Sequence, residues 1–153
     1  MLEIRTTKRE DLWAMAVLEK KIFSDAWSKK ALEETFEQES ARIFAAFEDG
    51  NMAGYCIAYQ ILDEAEIARI AVDKDRRRNG IGGLLLEQLK KISKNQGGKR
   101  ILLDVREGNF AARAFYEKKG FQIDGTRKGF YQNPKEDAVL MSLTLQEVST
   151  TSQ

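Results

Sequence analysis

Between a run of alternating apolar residues and a long apolar helix signal, the chain sets arginines beside glycines: Arg76-Arg77-Arg78-Asn79-Gly80-Ile81-Gly82-Gly83. Glycine lets a backbone come close to a ligand, and a helix start presents unpaired amides with a partial positive charge. Together with the arginines this is a candidate site for a phosphate or pyrophosphate. The same residues are also compatible with a glycine-softened surface turn bearing solvated arginines. Leu85 stands where a dinucleotide fingerprint needs its third glycine, and no Gly-Lys-Ser/Thr of a nucleotide loop follows. Two further groups have chemistry to offer. Asp104 is out of register with Leu103 and Val105 on a strand pattern, so it faces away from them. Tyr116 sits beside Phe115 on a short helix pattern, where one of the two must face the core.

Composition removes whole classes of mechanism. With no histidine in 153 residues, imidazole acid/base catalysis, Ser-His-Asp hydrolysis and His-ligated metals are excluded. One cysteine, Cys56 in a long apolar run, makes neither an internal disulfide nor a multi-Cys zinc site and reads as a buried small hydrophobe. Twenty-five basic and 24 acidic residues leave a net charge of +1, so no general basic surface points to nucleic acid. Catalysis must therefore rest on carboxylates, tyrosine, lysine, backbone dipoles or a cofactor. At 42% hydrophobic and 32% charged the chain reads as soluble and globular. Its length suggests one domain, able to bury roughly 70% of its unfolded surface without metal or disulfide. No apolar run approaches the roughly 20 residues that span a bilayer, and the start lacks a signal-peptide pattern. A cytoplasmic protein without a membrane partner is expected.

These groups must be carried by a frame. Leu2 and Ile4 alternate as an edge strand, and Thr7-Lys8-Arg9-Glu10 has the form of a capping box. Leu12, Met15, Leu18 and Ile22 keep helical spacing, and Ser28 can cap a second helix with Leu32 and Phe36 on its inner face. Ile43–Phe47, Met52–Leu62 and Glu66–Val72 read as three strands of an antiparallel meander, the first two joined at Asp49-Gly50-Asn51. Leu84, Leu85, Leu86, Leu89 and Ile92 form a helix stopped by Gly97-Gly98. A strand through Ile101, Leu103 and Val105 follows, then a helix from Asn109 to Lys119 closed by Gly120. Phe121–Ile123 and Ala138–Leu145 close the chain as a strand pair. The order predicts an α+β fold, a largely antiparallel mixed sheet with helices on both faces, over residues 1–146, and a frayed tail over 147–153.

The segment Arg77-x-x-Gly80-x-Gly82, preceded by Ile70-Ala71-Val72-Asp73, resembles the acetyl-CoA-binding motif of the GNAT superfamily of N-acetyltransferases. The similarity runs on through Asp104-Val105-Arg106, Asn109-Phe110-Ala111-Ala112, Ala114-Phe115-Tyr116 and Gly120-Phe121, in the family's order and spacing. Ala26-Trp27-Ser28, Phe130-Tyr131 and Glu136-Asp137-Ala138-Val139-Leu140-Met141 resemble its RimI type, bacterial enzymes that acetylate the N-terminal alanine of a small-subunit ribosomal protein. The resemblance covers nearly the whole chain, from about Ile4 to Leu145.

It implies the GNAT fold and an acetyl-CoA-dependent N-acetyltransferase acting by direct transfer. The backbone of Ile70, Ala71 and Val72 pairs with the pantetheine arm, the amides of Arg78, Asn79, Gly80, Ile81, Gly82 and Gly83 hold the pyrophosphate, and Asn109 lies near the thioester. Tyr116 serves the departing thiolate, and Asp104 falls at the catalytic carboxylate. Glu66, on the preceding strand, or a water, is the alternative base. Asp104 replaces the type's usual Glu, and Ala26 and Lys74 stand where prolines are usual. Trp27 and Tyr131 either join the core or shape a peptide slot in loops flanking the acceptor. Other functions stay open: lysine or small-amine acetylation by the same fold, or a CoA-binding module without turnover. The expected partner is the N-terminus of a ribosomal protein, with no metal, no direct nucleic-acid contact and a monomeric enzyme.

Overall fold

A computed structural model describes residues 1–77 and 79–146. Arg78 and the tail expected to fray, residues 147–153, lie outside the described residues. In chain order the elements are β1 (Leu2–Thr6), α1 (Leu12–Ile22), α2 (Lys29–Phe36), β2 (Ala41–Glu48), β3 (Asn51–Ile61) and β4 (Glu64–Val72). Then come α3 (Ile81–Asn95), β5 (Arg100–Arg106), α4 (Phe110–Lys118), β6 (Gln122–Tyr131) and β7 (Glu136–Thr144). The seven strands form one sheet in the order β1-β2-β3-β4-β5-β7-β6, antiparallel except for β4 against β5. This is the expected α+β mixed sheet.

Continuous apolar runs in the middle strands reflect burial on both faces. In β2, Ile43, Ala45 and Phe47 meet α1 and α2 through Leu12, Met15, Leu18 and Leu32. Phe44 and Ala46 point the other way, onto α3 and α4. Leu85, Leu86 and Leu89 of α3 are essentially inaccessible, and burial of each contributes roughly 1.5–3 kcal/mol. The helices leave part of the sheet uncovered. Alternation along β5 sends Ile101, Leu103 and Val105 into the α3–α4 core and leaves Asp104 exposed on the opposite face.

Local signals act where expected at several ends. Ser28 Oγ accepts from the Ala31 amide at 3.1 Å, and Asn109 Oδ1 accepts from the Ala112 amide at 3.2 Å. Asp49 and Gly50 take positive φ in the β2–β3 turn, and Gly120 closes α4 at φ 100°.

Two local expectations need correction. Thr7 does not cap a helix: its hydroxyl is buried and donates to the Ile43 carbonyl at 3.1 Å, while Asp11 caps the Lys8 amide at 2.7 Å. A short 3₁₀ turn, Arg9–Asp11, precedes α1. β6 is also longer than Phe121–Ile123. It runs to Tyr131, with register shifts against β7 after Ile123 and Arg127. An edge strand with polar residues and bulges lacks the alternation that marks a half-buried strand, so its sequence reads as loop.

Candidate active site

β4 and β5 pair for only three residues, from Glu64 opposite Arg100 to Glu66 opposite Leu102, and then part. The register against β3 slips at the same place: Ile57 faces Arg69 and Ala58 faces Ile67, so Ala68 has no partner. Such a bulge bends a strand and re-aims the next side chain. The gap is a cleft of about 120 Å³, walled by Ala68, Arg69 and Ile70 on one side and Asp104, Asn109 and Tyr116 on the other.

The β4 wall is an unpaired strand edge. Ala71 turns its carbonyl toward β3, since a Cβ on Gly54 would sit 2.6 Å from that oxygen, and the Asp73 amide donates to Ala53 at 2.8 Å. By alternation the main-chain groups of Ile70 and Val72 face the cleft, and the Val72 carbonyl accepts from Arg77 Nε at 3.2 Å. Ala71, grouped with them from the sequence, has its own backbone groups committed to β3. An extended ligand can therefore add to this edge as a further strand.

At the mouth of the cleft Gly80 caps α3 with φ 76°, a left-handed conformation that suits glycine and provides no capping side chain. The first intrahelical bond is from the Leu84 amide to the Gly80 carbonyl at 3.1 Å, leaving the Ile81, Gly82 and Gly83 amides unpaired in the helix. Asn79 is exposed beside them. Lys119, absent from the sequence-based site, lies over the same turn: its Nζ is 3.1 Å from a Cβ placed on Gly83. A cation at the end of one helix and free amides at the start of another make an anion cradle. The loop before it is held by Lys21, whose Nζ reaches Asp73 at 2.7 Å and Asp75 at 2.8 Å. That lysine keeps the Asp73 carboxyl below the usual carboxylate range.

Deeper in, Tyr116 is 8% exposed, its ring edge-on to Phe115 at 5.1 Å and to Phe121 at 5.2 Å. Burial pushes its phenol pKa up, with a smaller contribution from Cys56. It nonetheless lines the cleft, and no described residue hydrogen-bonds its hydroxyl. Asn109, at the N-cap of α4, lines the same wall. Asp104 lines the cleft within electrostatic reach of Tyr131, whose phenol pKa is raised first by burial and then by the Asp104 charge. Tyr131 ends β6 rather than lying in a loop, and Arg106 lies under its ring at 4.4 Å. Arg106 also donates to the Gln132 and Pro134 carbonyls and to Glu136, which ties the β6–β7 turn to β5.

The acetyltransferase (GNAT) family model matches residues 12–121. The chain belongs to the GNAT acetyltransferase family. The acetyltransferase is similar to the ribosomal protein bS18-alanine N-acetyltransferase of Escherichia coli strain K12, 34% identical over 95% of this chain and 99% of that protein. The crystal structure of the E. coli ribosomal-protein-S18-alanine N-acetyltransferase superposes with a TM-score of 0.89 at 32% identity, covering 100% of this chain and 99% of that one. Ard1 from Thermoplasma volcanium shares the fold, with a TM-score of 0.87 at 23% identity, over 95% of this chain and 99% of its own.

The family's donor, acetyl-CoA, fits what the acetyltransferase offers: an open strand edge for an amide-bearing arm and an anion cradle at its end. Among the described residues no cluster of three or more His, Cys, Asp or Glu is placed to hold a metal ion, and no helix is long and apolar enough to cross a membrane.

Sequence reasoning passed over one group in the cleft. Arg69, turned by the bulge, packs against Phe23 at 3.9 Å and Trp27 at 5.3 Å, with its Nε 3.0 Å from the wholly buried Glu19 carboxylate. Its only local signal was a lone cation inside an apolar strand.

The cradle makes a direct prediction. A Cβ on Gly82 would lie 3.5 Å from the Phe115 ring and 3.8 Å from Val72, an ordinary contact that the two methyls of valine overfill. Gly82→Val is expected to raise the KM for acetyl-CoA at least tenfold while the circular dichroism spectrum and melting remain those of a folded protein. An unchanged KM removes Gly82 from the cradle.

Proposed function

We propose that this acetyltransferase transfers the acetyl group of acetyl-CoA directly to a protein N-terminal α-amine, and that its acceptor is the N-terminal alanine of a small-subunit ribosomal protein. The observation that carries this is the end-to-end similarity to the E. coli ribosomal protein bS18-alanine N-acetyltransferase. It is supported by a cleft that carries the exposed Asp104 carboxylate and the Tyr116 phenol on one wall. Such a reaction belongs in the cytoplasm and requires one copy of the chain.

In this proposal Ile70 and Val72 hold the pantetheine arm along the β4 edge. The Ile81, Gly82 and Gly83 amides, with Asn79, Gly80 and Arg78, hold the pyrophosphate, and Asn109 borders the thioester. Acetyl-CoA brings the activated acetyl group; the chain supplies position and proton management. Asp104 holds the acceptor amine and takes its proton through a water as the new C–N bond forms. Tyr116 donates to the sulfur as the C–S bond breaks. Because burial raises its pKa, Tyr116 is a weaker acid than a free phenol, and hydrogen bonding to the developing thiolate outweighs full proton transfer. No covalent acetyl-enzyme is required. The one thiol, Cys56, is fully buried, and burial drives its pKa up, away from the nucleophilic thiolate.

The test is thiol release from acetyl-CoA with and without a peptide bearing a free N-terminal alanine, run on the parent and on Asp104→Asn. The parent should release thiol only with the peptide. Asp104→Asn removes charge at nearly constant volume and should lower the rate tenfold or more near neutrality. Raising the pH toward 9 should restore part of that rate, because solvent then supplies the neutral amine. Asp104→Glu restores the type's usual chain length and should keep or raise activity. A full rate for Asp104→Asn at neutral pH transfers the role to Glu66, which is exposed at the last β4–β5 pair before the strands part.

A further inference from the structure

The Glu19–Arg69 pair is more than a buried curiosity of the α1 face. Glu19 is 0% exposed; Tyr55 Oη donates to it at 2.5 Å and the Trp27 amide at 2.9 Å, and Arg69 Nε lies 3.0 Å away as an ion pair. Arg69 is 12% exposed and also donates from Nη2 to the Asp25 carbonyl at 3.0 Å. Nε and Nη2 lie on one edge of the planar guanidinium, and that edge is held on the α1 side by the Glu19 charge at Nε and the Asp25 carbonyl at Nη2. Phe23 and Trp27 stack on the plane itself. Nη1, on the other edge, has no hydrogen-bond partner among the described residues, although the side chain lines the cleft. A hydrophobic pair of the same volume would stabilise this position at least as well as a buried ion pair. What the ion pair adds is a fixed orientation for one unspent pair of N–H donors.

We infer that Arg69 is an acceptor-binding residue that donates from Nη1 to the carbonyl oxygen of the acceptor's first residue, with Glu19 as its positioning residue. This rests on the N-terminal reading above and gives it a physical basis. The cleft carries opposite charges on its two walls: Asp104 on β5 and Arg69 on β4. An N-terminal residue carries a positive amine and, three bonds away, a carbonyl oxygen of partial negative charge. Placed with its amine toward Asp104, it turns that oxygen toward the guanidinium. A lysine side chain has only methylenes next to its amine and leaves the donors unanswered, which is costly in a desolvated site. Glu19 also neutralises the arginine, so the cleft does not repel the incoming ammonium.

The experiment compares the parent, Arg69→Lys and the double variant Glu19→Gln/Arg69→Met. Two acceptors are used, the free-alanine peptide and an N-terminally blocked lysine peptide, with calorimetric binding of CoA measured in parallel. Lysine keeps the ion pair with Glu19 but has no second donor edge. Arg69→Lys should therefore raise the KM for the alanine peptide tenfold or more. CoA affinity should stay within twofold and the slow lysine-peptide rate within threefold, so the preference for the α-amine collapses by the same factor. A purely structural role predicts rescue by lysine, or equal loss on both acceptors. Either result overturns the assignment. The double variant removes the charge pair together, so CoA affinity reports its folding while the acceptor KM repeats the test. A parent that acetylates the alanine peptide while Arg69→Lys keeps its KM defeats this inference alone. A parent that ignores the alanine peptide defeats the N-terminal reading and this inference with it.

Discussion

The acetyltransferase should acetylate a free N-terminal alanine at least a few hundredfold faster than an N-terminally blocked lysine peptide near pH 7, at matched acceptor concentrations. The floor of that ratio comes from protonation alone. An α-amino group with a pKa of about 7.7–8.0 is roughly 10–15% neutral at that pH, whereas a lysine side chain near 10.4 is about 0.04% neutral. At 1.36 kcal/mol per pH unit the difference is about 3 kcal/mol of deprotonation that the α-amine does not need from the protein. A modest base suffices under those conditions, and the proposal assigns that role to Asp104. It is exposed, and it is a methylene shorter than the glutamate usual in the type, which is why the proposed proton path runs through a water. The ratio should shrink as the pH rises toward 9, because the neutral lysine fraction still climbs tenfold per unit while the α-amine is nearly all neutral. Comparable rates on the two peptides at pH 7 would reject the N-terminal assignment and favour lysine or small-amine acetylation.

Tyr116→Phe should lower kcat by about 10²-fold, the lower range for a group that serves as general acid or as hydrogen-bond donor to developing charge. The KM for acetyl-CoA should move little, since the hydroxyl matters most as charge builds on sulfur. The substitution is clean. The ring keeps its edge-on contacts with Phe115 and Phe121, and no described residue loses a hydrogen bond with the hydroxyl. Melting should therefore stay close to that of the parent. With its pKa raised by burial, Tyr116 remains protonated through the alkaline range, so the parent should show no loss of kcat from this group up to pH 9. A kcat within threefold of the parent makes Tyr116 a packing residue only.

What the amino-acid sequence determined by itself lies within short stretches of chain. Ser28 and Asn109 cap the helices that follow them, Asp49-Gly50 turns the first hairpin, and Gly120 ends α4, because each acts on a backbone amide or dihedral within a few residues. The alternation of Leu103, Asp104 and Val105 was enough to place Asp104 on the open face, since a strand's side chains have period two. Gly80 before α3 likewise marks the cradle through local conformational need.

Tertiary contacts decided the rest. Thr7 has the sequence of a cap, yet its hydroxyl goes to Ile43 because β2 passes beside it. Whether Phe115 or Tyr116 faces inward is undetermined at one residue's separation; packing against Phe121 and the β5 core buries the tyrosine. The cleft exists because β4 and β5 stop pairing after Glu66 and Leu102, and no single strand's sequence states where its neighbour leaves it. Arg69 reads locally as an anomalous cation in an apolar strand. The bulge at Ala68 turns it, and Glu19, distant along the chain, neutralises it. Burial of a charge is tolerated only where a partner is already fixed, and such partners are brought together by the fold rather than by neighbouring sequence.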